Sequence, residues 1–145
     1  MAIREIGEKD FSDFYGLYGG KGDKVDVVVF SAPQLSLMEM QQVADLLDGK
    51  RLHPKTALLA ITSPQVAADA QRLGLTRRIE ASGALVLKGM CFYQSYAREI
   101  GEANGWKRLL TNSAKLVNII GGYGYQPTLA SMEDCVASAI EGEIV

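Results

Sequence analysis

The hydrophobic residues of this chain follow two patterns that alternate along its length. Short continuous runs, of which residues 25–30 are the clearest, are rich in β-branched side chains and predict strands buried on both faces. Between these runs, apolar residues recur three or four positions apart, which predicts amphipathic helices. Strands that alternate with helices favour an α/β fold with a mainly parallel sheet and right-handed crossovers.

The predicted elements form a three-layer sandwich, in which a sheet of four or five strands carries helices on both faces. Residues 25–145 are interpreted as one domain, and residues 1–24 as a preamble that ends in a glycine-rich loop. Strands are predicted at 25–30, 56–61, 84–87 and 106–110, with a possible edge strand after the loop at 121–125. Helices are predicted at 9–15, 37–47, 64–73, 76–81, 93–104, 113–120 and from 132 onward.

Several predicted helices begin with side chains that cap free backbone N–H groups. Ser36 and Ser131 each open a capping box, with an acidic residue three positions later. Ser63 precedes a proline at the first helical position, which is another favoured start. In the helix predicted at 93–104, Tyr96 is expected to face inward.

Composition narrows the classes of function. The chain has 145 residues, of which 15 are basic and 17 acidic, so no nucleic-acid partner is expected. No apolar run approaches the ~18 residues that span a bilayer, and the N-terminus lacks the apolar core of a signal peptide, so no membrane association is expected. Cys91 and Cys135 are too few for a disulfide scaffold, which predicts a cytoplasmic protein with reduced thiols.

The segment from Thr111 to Lys115 joins a predicted strand to a predicted helix. Such a junction directs backbone N–H groups and the positive end of a helix dipole toward the space beyond the sheet. Lys115 adds a positive charge where acids are normally preferred, which suggests that an anion shares this space. The alternative is that Asn112 or Ser113 merely caps the helix and Lys115 points to water.

Small and polar residues also follow the other strands. Because the carboxyl ends of parallel strands meet at one edge, where ligands bind, four strand exits are expected to lie together, at 31–34, 62–63, 89–91 and 111–113. The candidate anion-binding residues are Ser31, Thr62, Ser63, Thr111 and Asn112, and the candidate catalytic residues are Cys91, Ser113 and Lys115.

These motifs, in this order, resemble the C-terminal portion of the aconitase X catalytic subunit. Thr-Asn-Ser-Ala-Lys is present whole at residues 111–115, and the closing Ser-x-Glu-Asp/Glu-Cys-Val motif matches residues 131–136. The resemblance covers nearly the whole chain. It implies the dehydration of a hydroxy acid, such as 3-hydroxyproline or phosphomevalonate, with iron, as a cluster or a single ion, acting as the Lewis acid.

The chain departs from that family at positions that carry the implied chemistry. In the family, a Gly-Cys-Pro-His motif follows the first strand and supplies one of three cysteines that hold the iron. Here Ala32 stands in place of that cysteine and Gln34 in place of the histidine. Cys91 matches the cysteine of an Asp-Thr-Cys motif that follows the family's third strand. The N-terminal part of the subunit, with its own cysteine, is not in this sequence, so Cys91 is the one family cysteine that remains. We therefore expect no metal and no cofactor in the isolated chain, and iron only in a complex with a partner chain.

Three functions are left open by these residues. As part of an enzyme, the chain would contribute Cys91, Ser113 and Lys115 to a hydro-lyase site shared with a larger partner chain, and Lys115 would bind the carboxylate or phosphate of a small anionic substrate. As a stand-alone metal-free lyase or isomerase, it would use Cys91 or Lys115 for proton transfer. As a non-catalytic module, it would bind small anions without turnover. The loss of iron ligands favours the first and third functions.

A second subunit or a homo-oligomer is expected, because in the full-length family this unit packs against another domain, and an isolated copy would expose that apolar face. The candidate contact residues are Phe11, Phe14, Tyr15 and Tyr18 of the preamble.

The remaining candidates have structural as well as functional interpretations. Cys135 is expected to be a buried structural cysteine, and His53 to be solvated at the opposite edge of the sheet. Asp26, inside an apolar strand, is expected to face an edge or to bind a neighbouring loop. The tyrosines that either line a pocket or serve packing and interfaces are Tyr93, Tyr96, Tyr123 and Tyr125.

Overall fold

The computed structural model describes Ile3 and residues 5–145. Within these residues the chain forms one five-stranded sheet and seven α-helices, and none of those helices is long and apolar enough to cross a membrane. The strands are β1 (Val27–Leu35), β2 (Ala57–Thr62), β3 (Leu85–Lys88), β4 (Arg108–Thr111) and β5 (Gln126–Leu129). The helices are α1 (Glu8–Leu17), α2 (Leu37–Leu47), α3 (Pro64–Arg72), α4 (Leu75–Ala81), α5 (Ala97–Asn104), α6 (Ala114–Ile120) and α7 (Met132–Glu141).

All neighbouring strands of the sheet are parallel, and their order is β3-β2-β1-β4-β5. β1 therefore lies at the centre, with the carboxyl ends of β2 and β4 on either side of its own. The α/β class and the parallel sheet predicted from the sequence are confirmed.

Side chains on the central strands alternate between two hydrophobic clusters. On β1, Val28 and Phe30 belong to one cluster, whereas Val27 and Val29 belong to the other. The first cluster is completed by α2, α3, α4 and α7, and the second by α5 and α6. Helices thus cover both faces of the sheet, as the three-layer prediction requires.

β1 differs from its prediction at the carboxyl end. It was expected to stop at Phe30, but it continues to Leu35 with a shift of register against β2. Phe30 pairs with Ala60 and Leu35 pairs with Thr62, so residues 31–34 bulge out of the ladder. The sequence pattern missed this extension because small polar residues after an apolar run are typical of a loop.

The helix predicted at residues 93–104 begins later than expected. A 3₁₀ turn at Phe92–Gln94 comes first, and α5 starts only at Ala97. Tyr96 has a left-handed backbone, with φ of +57°, and is 77% exposed, so the prediction that it faces inward is wrong. Because a left-handed residue cannot continue an α-helix, this conformation sets where α5 begins.

The segment after α1 runs along the edge of the sheet beside β5. The Tyr18 carbonyl accepts a hydrogen bond from the Leu129 N–H at 3.1 Å, and Asp23 forms an ion pair with Arg108 at 2.8 Å. A covered edge strand is protected from pairing with other chains. The preamble therefore contributes to the domain and also places α1 near the carboxyl ends of β4 and β5.

Candidate functional site

Direct hydrogen bonds connect the strand exits at the carboxyl edge of the sheet. The Ser113 hydroxyl donates to the Ala32 carbonyl at 2.6 Å, which joins the exit of β4 to that of β1. The Ser31 hydroxyl accepts from the Phe92 N–H at 3.4 Å, which joins β1 to the segment that follows β3. We call the residues at 31–34, 62–63, 89–91 and 111–115 the rim.

Gln34 makes a further connection across the rim. Its side-chain amide donates to the Met90 carbonyl at 2.9 Å. The residue that stands in place of the family's histidine therefore holds two strand exits together. A side-chain amide does not titrate near neutral pH, so it cannot replace an imidazole in proton transfer, and its contribution here is structural.

Thr62 and Thr111 are rim residues whose side chains are fully buried. Their hydroxyls donate to the carbonyls of Leu35 and Val29, each at 2.6 Å. Both acceptors belong to β1, so the two threonines hydrogen-bond the ends of β2 and β4 to the central strand. Their hydroxyls are engaged with backbone and do not point to solvent.

Ser63 and Ser113 cap the helices that follow β2 and β4. Ser63 accepts from the Val66 N–H at 3.2 Å, and Ser113 accepts from the Leu116 N–H at 3.0 Å. The capping interpretation of Ser113 is therefore correct, and it holds together with the bond to β1. Because α6 has only seven residues, its dipole is a small part of the rim's electrostatics, and the charge of Lys115 matters more.

Lys115 and the segment that carries Cys91 lie on the same part of the rim. The Lys115 Nζ atom is 5.7 Å from the centroid of the Tyr93 ring, within range of a cation–π interaction. Tyr93 follows Cys91 by two residues, and the Cys91 carbonyl is held by the Gln94 N–H at 3.0 Å and the Ser95 hydroxyl at 2.8 Å. Lys115 is exposed and Cys91 is half-buried.

Asn112 borders a mostly apolar cavity of about 330 Å³ that lies between the rim and α1. Phe11 and Phe14 from α1 and Leu129 from β5 line the same cavity. Phe11 is 62% exposed, and α1 has no buried residue. The contact role of the preamble's aromatic residues stays a prediction, but these side chains do form an exposed apolar face beside the rim.

Asp26 and Cys135 have the structural roles expected of them. The Asp26 carboxylate accepts hydrogen bonds from the backbone N–H groups of Lys107 and Arg108, at 2.8 and 2.7 Å, so it binds a neighbouring loop. Cys135 is completely buried in α7, and this burial raises the pKa of its thiol well above the usual range.

His53 lies at the edge opposite the rim, in the loop before β2. The side chain remains partly exposed, and one side of the ring packs against Gly142. A Cβ atom at Gly142 would come within 2.6 Å of the imidazole ring. This contact depends on the C-terminal end of α7, which the local sequence around His53 does not reveal.

The four candidate tyrosines separate into one core residue and three groove residues. Tyr125 is buried, its hydroxyl donates to the Ala97 carbonyl at 2.8 Å, and burial raises its pKa to about 12. Tyr93, Tyr96 and Tyr123 line a groove that begins beside the rim. Arg98 also lines this groove. Sequence reasoning missed Arg98, because nothing in its local context distinguishes it from other surface arginines.

Comparison with known families identifies the domain. The model of the aconitase X third domain matches residues 25–141, which is most of the chain. This chain belongs to the aconitase X third-domain family. The resemblance drawn from the strand-exit motifs is confirmed.

Named relatives of this aconitase X domain are dehydratases. A cis-3-hydroxy-L-proline dehydratase of Pseudomonas aeruginosa is 31% identical over 139 residues, which cover 94% of this chain and 24% of that protein. A phosphomevalonate dehydratase large subunit of Methanocaldococcus jannaschii is 32% identical over 110 residues, which cover 76% of this chain and 26% of that protein. The chain therefore spans about a quarter of the length of these curated relatives.

A solved structure has the same fold as this aconitase X domain. The holo-form crystal structure of Thermococcus kodakaraensis aconitase X matches with a TM-score of 0.75 at 23% sequence identity. The match covers 92% of this chain and 33% of that chain. At this identity the likeness supports the three-layer architecture alone.

The rim of this aconitase X domain does not fit an iron centre by itself. Ala32 offers a methyl group where the family resemblance implies a cysteine, and Cys91 is the one cysteine of the rim. In Ile3 and residues 5–145, no three His, Cys, Asp or Glu side chains cluster in a way that could hold a metal ion. A cluster is normally held by three or four thiolates, so the rim by itself lacks the ligands for one.

Proposed function

We propose that this chain contributes an organic-anion binding rim to a hydro-lyase site that a second chain completes. The observation that carries the proposal is the Ser113–Ala32 hydrogen bond, because it brings the strand exits together in the neighbourhood of Lys115 and Cys91. Hydro-lyase chemistry is supported by the names of the relatives, which are dehydratases of which the matched segment covers about a quarter.

The rim residues have different roles in this proposal. Lys115 binds the carboxylate or phosphate of the substrate, because its ammonium is exposed at the rim and is not ion-paired with an acid among the residues that the structure describes. Asn112, which follows β4, and Ser63, which follows β2, offer further polar groups. Ser113 acts first as a positioning residue, since its hydroxyl is shared between Ala32 and the α6 cap. Cys91 supplies a thiol at the rim.

The completing chain is the source of whatever the rim lacks. Ala32 and Gln34 provide neither a metal ligand nor an imidazole, so a reaction that needs those groups requires them from elsewhere. The apolar face of α1, next to Asn112, is the surface that we assign to this partner. The isolated chain is accordingly proposed to bind no iron and to catalyse no dehydration alone.

A second candidate is a non-catalytic module that binds small anions. It is favoured by the engagement of the Thr62, Thr111 and Ser113 hydroxyls in hydrogen bonds to the backbone. A rim whose hydroxyls serve the fold can still bind an anion through Lys115. The two candidates differ in whether turnover appears when the chain is in its complex.

Binding and turnover are tested on the same preparations. The isolated chain is titrated calorimetrically with cis-3-hydroxy-L-proline and with phosphomevalonate, and dehydration is assayed on the chain alone and on the complex purified from its own organism. Lys115→Met should weaken the binding of the preferred probe about tenfold, a change of about 1.4 kcal/mol. Lys55→Met, at the opposite edge of the sheet, is the matched control and should have no effect.

Each result of that experiment bears on the proposal. Turnover only in the complex supports the shared hydro-lyase site, and binding without turnover in either preparation supports the module. Turnover by the isolated chain would contradict both and favour the stand-alone lyase. An equal effect of the two lysine substitutions would show that Lys115 is not the anion-binding group.

A further inference from the structure

A surface groove beside the rim has no role in the packing of the core or in the rim's own hydrogen bonds. It encloses about 670 Å³ and lies between the start of α5 and the end of α6. Its lining includes Tyr93, Tyr96, Arg98, Glu99, Gly122 and Tyr123. Since Tyr93 is also the ring that Lys115 contacts, the groove and the rim share one wall.

One cation lies near Tyr93, and a second lines the groove. The Lys115 Nζ atom lies 5.7 Å from the centroid of its ring. Arg98 lines the same groove, where its Nη2 atom donates to the Gly122 carbonyl at 2.7 Å. In the described part of the chain neither cation forms an ion pair with an acid. The bond to Gly122 uses one of the five N–H donors of the guanidinium, which leaves the others free for a ligand.

Three tyrosines contribute aromatic surface to the walls of the groove. Tyr96 is 77% exposed, although its left-handed backbone is one that non-glycine residues rarely adopt. Tyr93 and Tyr123 are half-buried and present ring surface to the same space. Such walls favour an apolar ligand body, while their hydroxyls can donate to polar atoms.

We propose that this groove is the second half of the anion site and that the chain selects an organic dianion. One anionic group lies at Lys115, the apolar body packs on the tyrosines, and the second anionic group accepts hydrogen bonds from Arg98. This inference rests on the proposed function in one respect, namely that Lys115 binds the first anionic group. A monoanion of the same body engages one cation and binds more weakly.

Glu99 adds a negative charge to the lining of the groove. It is the acid that lines the groove beside Arg98, and it is exposed. Its negative charge opposes a second anionic group at Arg98, so removal of that charge should strengthen dianion binding. Glu99→Gln is therefore expected to bind dianions two- to fivefold more tightly, with little change for monoanions.

The test uses simple probes on the full chain. Succinate, glutarate and adipate are titrated by NMR at low ionic strength, each beside the monocarboxylate with one carboxylate fewer: propionate, butyrate and valerate. The variants are Arg98→Met, Lys115→Met, Glu99→Gln and the conservative Arg98→Lys, with Arg77→Met on the other face of the sheet as the matched control. Melting temperatures confirm that every variant is folded.

The expected result is at least tenfold tighter binding of one dicarboxylate than of its monocarboxylate partner. Arg98→Met and Lys115→Met should each abolish this preference, Arg98→Lys should retain part of it, and Arg77→Met should leave it unchanged. Amide shifts should map to Gly122 and Tyr96.

The failure of this inference is distinguishable from failure of the proposed function. If Lys115→Met weakens binding but Arg98→Met does not, the groove is not part of the site and the rim proposal stands. If no probe shows a dianion preference although Lys115 still binds monoanions, the dianion inference is overturned in the same way. If Lys115→Met has no effect on any probe, both are overturned.

Discussion

The hydroxyl of Ser113 donates a 2.6 Å hydrogen bond to the backbone carbonyl of Ala32. The same oxygen accepts from the Leu116 N–H at 3.0 Å, so one side chain caps α6 and ties the end of β4 to β1. Ser113 is 6% exposed, which shields both bonds from water. The carbonyl belongs to a residue with φ of +58°, a conformation that alanine rarely adopts without support from its surroundings.

Ser113→Ala should lower the free energy of unfolding by about 2–3 kcal/mol, because it removes a helix cap and leaves a buried carbonyl without its donor. Urea denaturation followed by circular dichroism measures the change. Ser131→Ala is the matched control, since Ser131 caps α7 by accepting from the Asp134 N–H and makes no bond to another strand. Equal losses in the two variants would show that the bond to Ala32 contributes nothing.

Asp26→Ala should destabilise the fold by about 1–3 kcal/mol, because one carboxylate oxygen serves the N–H groups of both Lys107 and Arg108. Asp26→Asn keeps an acceptor oxygen and should lose less. Asp13→Ala, on exposed α1, removes a surface ion pair with Lys9 and should change stability by less than about 0.5 kcal/mol. Thermal melts of the three variants provide the comparison, and a loss in Asp13→Ala as large as that in Asp26→Ala would refute the assignment.

Gly101→Ala should destabilise the domain by about 1–3 kcal/mol through overpacking. A Cβ atom at Gly101 would lie 2.7 Å from the Tyr125 hydroxyl, and that ring is buried in the core. Gly121→Ala is the control, because a Cβ there meets nothing within 4 Å and φ is helical at −57°. Gly121→Ala should be neutral or stabilising by up to about 1 kcal/mol. Denaturant midpoints that fall equally in both variants would contradict the steric argument.

The two thiols should differ in reactivity in the folded protein. Cys91 is half-buried at the rim, whereas Cys135 is completely buried and has a raised thiol pKa, so little reactive thiolate forms there. Iodoacetamide should label Cys91 in the native state and Cys135 only after unfolding, as followed by mass spectrometry. Cys91→Ser should then show no native labelling. Native labelling of both sites at similar rates would mean that α7 opens readily.

Much of the architecture could be predicted from the sequence, because strand and helix periodicity are local properties. The apolar run at residues 25–30 predicted the central strand, and the serine caps placed the starts of α2, α3 and α7. Tyr96 was misplaced because a helical pattern of apolar residues continues through it, whereas the backbone turns left-handed there.

The candidate site could be predicted only in part. The carboxyl ends of parallel strands lie at one edge of a sheet, so the residues that form the rim could be predicted from the positions of the strands. The roles of its members did not follow. Thr62 and Thr111 look like binding residues in the sequence, but their hydroxyls donate hydrogen bonds to backbone carbonyls of β1. Arg98 looks like any surface arginine until the fold places it against Gly122, in the turn that follows α6.

The sequence by itself determined the alternation of strands and helices, most of the side chains that face the core and the caps that begin several helices. These properties depend on residues within one or two turns of each other, or on alternate residues of one strand. The tertiary structure alone decided that Ser113 contacts Ala32, 81 positions away, and that Lys115 lies over Tyr93. Such contacts depend on strand order and on the register of each strand, which long-range packing selects and local sequence does not encode.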